Sequence, residues 1–167
     1  AAPRIDKVRL GIIGLGQRGP SHLRTLLGID GLEVRALCDL LVDTKTLPAM
    51  DEPVLKTKDW RELVTHPDVQ IVVELVGGTT IAREVIDAAI ASGKSVVTAN
   101  KALMGESGAE IWEKAIAAQV NVAMEASVAG GIPIHAVLRE GISGDRVVAL
   151  YGILNGTSNY ILTEMEK

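Results

Sequence analysis

Short apolar runs alternate along the chain with stretches where apolar positions recur at helical spacing. Residues 8–14 predict a strand and residues 20–27 a helix. Residues 32–39 predict a second strand, rich in apolar side chains and ending in a charge. Between 40 and 58 no period is clear and Pro48 and Pro53 interrupt the chain, leaving room for a short strand only. Asp59 is placed to cap a short helix running to Val64. Residues 71–76 read as a buried strand before a Gly77-Gly78 turn, residues 80–91 as a helix ending at Gly93, and residues 95–98 as another strand. Residues 106–118 are amphipathic, with Ile111, Ala115 and Ala118 on one face. Beyond them the pattern predicts a strand over 120–124, a helix over 134–140 after Pro133, a strand over 146–154 and a last helix over 158–166.

Strands that alternate with helices require right-handed crossovers, hence a parallel sheet with helices on both faces. Composition agrees. Hydrophobic residues make up 47% of the 167 positions, yet aromatics are only 2% and Phe is absent, so the core must be Val, Ile, Leu and Ala. The alternation breaks at Ala129-Gly130-Gly131-Ile132-Pro133, which places a boundary within 130–145.

Charge narrows the function classes. The net charge is -4 and no basic stripe occurs, which argues against a nucleic-acid surface. The apolar runs are too short to span a bilayer. The charged opening, residues 1–7, lacks the pattern of a secretory signal and leads straight into the first strand. Cys38 is the only cysteine, so no disulfide framework exists and a reducing, cytoplasmic setting is expected. Near the end of a buried strand its thiol reads as an inert core group rather than a redox or nucleophilic one.

Gly14-Leu15-Gly16-Gln17-Arg18-Gly19 is a GxGxxG run directly after the first strand and before a helix. The first glycine permits a tight turn, the second a close backbone approach to a pyrophosphate, and the third close helix–strand packing. The helix start adds free N–H groups and the positive end of its dipole. Such a run alone also marks ordinary turns; Asp39, at the end of the second strand and at the expected distance, turns it into a dinucleotide-binding signature. The fold class is therefore α/β, a Rossmann-type doubly wound parallel sheet. Gly14, Gly16, Gln17, Arg18 and Gly19 are expected at the pyrophosphate. Asp39 is expected at the adenosine ribose, where it accepts from the 2′-hydroxyl and repels a 2′-phosphate. That favours NAD over NADP, although Arg18 and Lys45 leave NADP usable; Arg35, within the strand, is a weaker candidate.

Four later stretches carry a resemblance. They are Val72-Val73-Glu74-Leu75-Val76-Gly77-Gly78-Thr79, Val97-Thr98-Ala99-Asn100-Lys101-Ala102-Leu103, Glu125-Ala126-Ser127-Val128-Ala129-Gly130-Gly131-Ile132-Pro133 and Gly152-Ile153-Leu154-Asn155-Gly156-Thr157-Ser158-Asn159-Tyr160-Ile161-Leu162. In order and spacing they resemble the homoserine dehydrogenase family over somewhat more than half the chain. That resemblance implies interconversion of L-homoserine and L-aspartate 4-semialdehyde by hydride transfer to or from a nicotinamide, within threonine and methionine biosynthesis. It implies that Thr79 lies along the nicotinamide ribose and that Gly77, at the carboxyl end of its strand, Asn100 and Lys101 join the cofactor site. Lys101 holds substrate or cofactor oxygens and assists proton movement. It further implies a sodium or potassium site in 125–132, built largely of backbone carbonyls, with Glu125, Val128, Gly130 and Ile132 as ligands. Gly156 would allow close approach near the nicotinamide.

The residues by themselves leave blander readings open: Lys101 as an exposed surface lysine, Asp39 as a solvated strand end, Glu125 as a buried acid in a structural bend. The three histidines do not cluster, no HExxH or GxSxG occurs, and His135 reads as structural. The opening, from Leu10 to Gly19 with His22-Leu23 and Glu33-Val34-Arg35-Ala36-Leu37-Cys38-Asp39, looks more like sugar-type oxidoreductases of the Gfo/Idh/MocA family. That family expects Glu-Lys-Pro where this chain has Asn100-Lys101-Ala102, so the later motifs decide. The resemblance places the homoserine-binding acid, and the Asp and Lys of proton transfer, beyond Lys167. The expected domains are residues 1–133, binding the dinucleotide, and residues 134–167, the incomplete beginning of a substrate and dimerisation domain. Cofactor binding with weak or no turnover follows, in a homo-oligomer held by exposed apolar strand edges. The alternatives are a binding module without chemistry of its own, natural or engineered, and a sugar-type oxidoreductase.

Overall fold

The computed structural model describes residues 7–16, 18–41, 47, 50, 53–152 and 156–166, with backbone alone at 156–158. Strands β1 (Val8–Ile13), β2 (Leu32–Cys38), β3 (Leu55–Thr57), β4 (Ile71–Glu74), β5 (Ser95–Thr98) and β6 (Val122–Ala123) form one sheet in the order β3-β2-β1-β4-β5-β6. Every pairing is parallel. The chain lays β2 and β3 to one side of β1, then crosses back and adds β4, β5 and β6 on the other. This reversal opens a crevice between β1 and β4 at the carboxyl ends of the strands, where open α/β sheets hold their ligands.

Register decides what lines that crevice. Ile13 is level with Cys38 on one side and Glu74 on the other, and Glu74 is level with Thr98. The residues that follow these four, Gly14, Asp39, Leu75 and Ala99, therefore leave the sheet along one edge.

Helices α1 (Gly19–Leu27), α2 (Trp60–Thr65), α3 (Thr80–Ala91) and α4 (Lys101–Ala117) cover the sheet. Strand alternation splits the core in two. Ile12, Leu37 and Val73 pack with Leu23 of α1 on one face. Ile13, Cys38, Val72 and Val96 pack on the other against Leu63 of α2, Val85 and Ile86 of α3 and Ile111 of α4. Most of these side chains are completely buried, and each such aliphatic group stabilises the fold by about 1.5–3 kcal/mol.

The predicted helix at 80–91 and strand at 95–98 appear with those bounds, and β3 occupies the aperiodic stretch. Asp59 caps α2 by accepting from the Arg61 N–H at 3.0 Å. Helix α4 starts well ahead of residue 106 because the Asn100 side chain accepts from the Leu103 N–H at 3.1 Å; Gly105 and Gly108 inside its first half had weakened the periodic signal. The helix predicted over 134–140 is a single turn, α5 (Ile134–Ala136), that widens into a π-helical turn, Val137–Gly141. The strand predicted over 146–154 does not form at 146–152, and the rest lies outside the described residues. A strand needs a ladder partner, and none of the six described strands pairs with this stretch. Val148 and Tyr151 are more than nine-tenths exposed. Helix α6 (Gly156–Met165) follows, with Tyr160, Ile161, Leu162 and Met165 also exposed. No described helix is long and apolar enough to cross a membrane.

Candidate functional site

The glycine loop between β1 and α1 meets three different demands. Gly14 has φ +92°, and a Cβ there would stand 2.7 Å from the Leu75 carbonyl. A Cβ at Gly19 would stand 3.0 Å from that of Leu15, so the third glycine lets α1 close onto the loop. At Gly16 a Cβ would meet nothing within 4 Å: the backbone is bare toward the crevice for lack of a side chain, not for lack of space. Helix α1 has no capping side chain and no acid in its first turn, and exposed Arg18 stands just before it. Bare backbone, a helix start and a cation together suit a pyrophosphate.

Asp39 leaves β2 and turns its carboxylate to the loop. Its Oδ2 accepts from the Leu15 N–H at 2.6 Å and its Oδ1 from the Leu41 N–H at 2.8 Å. It is half-buried, and each oxygen keeps a further acceptor site.

Two cavities flank the loop and share Gly14, Gly16 and Leu75 as walls. The one on the β2 side, about 780 Å³, is mostly apolar, with Leu40, Leu41, Val76 and Ile81 beside Asp39. Trp60 also borders it, with the Arg61 guanidinium 4.3 Å from the centre of its ring. The one on the β4 side, about 420 Å³, brings together Arg18, Gly19, Gly77 and Asn100 with His22 and Glu74. An extended dinucleotide needs such a pair of spaces, with its pyrophosphate at the shared wall. The residues present fit the group.

Glu74, Thr98 and His22 are additions that sequence reasoning did not assign. Glu74 ends β4 completely buried. Its Oε1 accepts from the Val76 N–H at 2.7 Å and the Gly77 N–H at 3.2 Å, and its Oε2 from the Thr98 hydroxyl at 2.6 Å. Thr98 Oγ1 in turn accepts from the Asn100 N–H at 3.0 Å, and the Asn100 side chain donates to the Gly78 carbonyl at 2.7 Å. Ser127 donates to the Thr98 carbonyl, tying the turn after β6 to the same point. The turn after β4, where Gly77 and Gly78 have φ +77° and +69°, is thus fastened to the turn after β5. The visible signal was a lone acid at the carboxyl end of an otherwise apolar strand.

Other predicted residues lie apart. Thr79 is half-buried at the start of α3, and Lys101 is exposed as the first residue of α4; neither lines the two cavities. Gly156 opens α6. Gln17, Lys45 and Asn155 lie outside the described residues.

The predicted cation ligands follow β6. Glu125 sits in a 3₁₀ turn, Glu125–Ser127, and Val128, Gly130 and Ile132 belong to the bend after it, in which Ala129 and Gly131 have positive φ. Glu125 borders a third cavity of about 230 Å³ with Trp112, Met124, His135, Leu138 and Arg139. Its Oε2 is buried without a hydrogen-bond partner. The Ile132 carbonyl already accepts from the Ile134 N–H at 2.8 Å, which leaves one of its two lone pairs.

Cys38 and Lys94 are among the groups with shifted ionisation. Burial, then the charges of Asp39, Asp59 and Glu62, push the Cys38 thiol up to about 11, so it stays protonated at neutral pH. Burial holds Lys94 below the usual lysine range; its ammonium donates to the His66 carbonyl at 2.7 Å, at the opposite end of the sheet.

Comparison with known proteins agrees with this geometry. Residues 14–125 match the family described as "Homoserine dehydrogenase, NAD binding domain", and residues 133–167 match "Homoserine dehydrogenase". The homoserine dehydrogenase of Neisseria gonorrhoeae is 42% identical over an alignment 170 residues long that covers 96% of this chain and 38% of that protein. That of Synechocystis is also 42% identical, over 95% of this chain and 38% of its own length. Among solved structures, a homoserine dehydrogenase from Thiobacillus denitrificans superposes with a TM-score of 0.82 at 40% identity, covering 95% of this chain and 38% of that one. The chain thus spans less than two fifths of the length of these relatives.

Proposed function

The chain belongs to the homoserine dehydrogenase family, and on that premise we propose that it binds NAD across the glycine loop and serves the oxidation of L-homoserine to L-aspartate 4-semialdehyde and its reverse. The observation that carries this reading is the bare Gly16 backbone at the shared wall of two cavities, one ending at Asp39 and the other at Gly77 and Asn100. The nicotinamide, when bound, supplies the hydride acceptor or donor.

The chain's own residues hold and orient. Gly14, Gly16, Gln17, Arg18 and Gly19, with the start of α1, take the pyrophosphate. Asp39 accepts from the adenosine ribose and disfavours a 2′-phosphate, so NAD is preferred and NADP is the weaker ligand. Gly77, Thr79, Asn100 and Gly156 take the nicotinamide end. Lys101, exposed at the start of α4, holds a substrate oxygen and moves its proton.

Residues 1–133 form the dinucleotide-binding domain in this reading and residues 134–167 the start of the substrate and dimerisation domain. Glu125, Val128, Gly130 and Ile132 hold sodium or potassium, supported by the unpartnered Glu125 Oε2. Self-association is supported by the exposed Val148, Tyr151 and Leu162. The setting is cytoplasmic.

Titration of the chain with NADH, followed by nicotinamide fluorescence, tests the cofactor assignment. Saturable binding displaced by NAD is expected, and a folded chain that binds neither overturns it. Homoserine-dependent reduction of NAD tests the substrate assignment; reduction with polyols or sugars in place of homoserine overturns that part alone.

A further inference from the structure

On the cofactor reading above, we infer that Glu74 sets the balance between oxidised and reduced cofactor, its buried negative charge favouring the positively charged nicotinamide of NAD over the neutral ring of NADH. Three observations lead there.

The first is placement. Glu74 ends β4, the strand beside the topological reversal, and borders the β4-side cavity, opposite the cavity that ends at Asp39. With the adenosine ribose at Asp39 and the pyrophosphate at Gly16, the nicotinamide falls on Glu74's side of the loop.

The second is its hydrogen-bond pattern. Two backbone N–H groups and one hydroxyl all donate to Glu74, which suits the carboxylate form because that form only accepts. A backbone turn that aims successive N–H groups at one oxygen is a nest for an anion.

The third is the surrounding charge. Glu74 is the one acid bordering this cavity among the described residues; the ionisable groups that share it are Arg18 and His22, one turn apart at the start of α1 and nearest the pyrophosphate. Lys101 is exposed beyond Asn100 and does not border it. Because Glu74 is completely buried, it touches no ligand and acts through its field, which the low-dielectric interior screens less than water would. It is a positioning and charge-setting residue, not a catalytic one.

Glu74→Gln separates charge from shape. The amide oxygen can still accept from Val76 and Gly77, and the amide nitrogen can donate to Thr98 Oγ1. The test measures the Kd of NAD by calorimetry and of NADH by fluorescence, for wild type and variant of the full chain, with ADP-ribose as a control that lacks the nicotinamide. The variant should weaken NAD by roughly tenfold relative to NADH and leave ADP-ribose unchanged. Equal weakening of NAD and NADH overturns the inference and leaves Glu74 as a brace of the two turns. A wild-type chain that binds neither cofactor overturns the cofactor reading itself, a different result. Should Glu74→Gln fail to fold, Glu74→Asp keeps the charge on a shorter arm. It should preserve the ratio of the two affinities even if both weaken, and a fallen ratio overturns the inference.

Discussion

Asp39 follows β2 and Glu74 ends β4, the two strands that flank β1, and both accept backbone N–H groups from the turns beside them. The resemblance ends there. Asp39 is half-buried beside a broad apolar cavity and keeps acceptor sites toward it; Glu74 is sealed in and committed to three donors. One acid is placed to touch a ligand, the other to shape the wall around one. Equal residue chemistry one position apart in register, at the carboxyl ends of two strands, can therefore serve recognition on one flank and framework on the other. Burial and the number of donors tell the two apart.

The largest effect should come from breaking the wall that both flanks share. Gly16→Val puts a side chain into space that now holds no protein atom within 4 Å, so the fold should stand while the pyrophosphate is shut out. NADH affinity should fall by about a hundredfold or more with the thermal midpoint unchanged. Unchanged affinity in the folded variant would remove the loop from the cofactor site.

On the β4 flank the framework itself can be weakened. Asn100→Ala removes the cap on the Leu103 N–H and the bond to the Gly78 carbonyl. The loss of a cap plus a part-buried hydrogen bond should cost about 2 kcal/mol in denaturant unfolding. A cost near zero would mean that Glu74 and Thr98 hold the two turns without it.

On the β2 flank the corresponding change should act more on selectivity than on stability. Asp39→Ala removes the charge that disfavours a 2′-phosphate, so the preference for NADH over NADPH should narrow by about tenfold. It also frees the Leu15 and Leu41 N–H groups, which weakens both cofactors together. The ratio of the two affinities isolates recognition from that shared loss, and an unmoved ratio would make Asp39 a loop brace only.

The β2 flank was far more legible in the sequence than the β4 flank. The glycines of the loop are local, each following from a backbone requirement stated along the chain, and the strand-end acid stands at a fixed spacing from them. The fastening of Glu74 to Thr98 and of Asn100 to Gly78 links residues more than twenty positions apart and exists only once β4 and β5 are in register. The start of helix α4 is hidden in the sequence for its own reason: Asn100 caps it, and the glycines at 105 and 108 obscure its period. The strand expected over 146–154 erred the other way. Val147, Val148, Leu150 and Tyr151 have the composition of a strand, but composition does not supply the neighbour that a ladder requires.

The smallest effect at neutral pH concerns Cys38, level with Ile13 in the row that closes the β2 flank. Its folded pKa is raised from 9.0 to about 11, first by burial and then by the charges of Asp39, Asp59 and Glu62. A raised folded pKa means that the unfolded chain loses the proton first, so the contribution is whole below pH 9 and is lost as pH rises through about 11. Lys94 opposes this: burial lowers its pKa from 10.5, so its cost to stability eases as pH rises toward that value. The wild-type profile mixes the two trends, and Cys38→Ala separates them because Lys94 lies at the far end of the sheet. The stability difference, wild type minus variant, should stay level below pH 9 and decline between 9 and 11. A level difference throughout would mean that the thiol reaches solvent through the β2-side cavity, whose wall includes Cys38 and Ile13 beside Asp39.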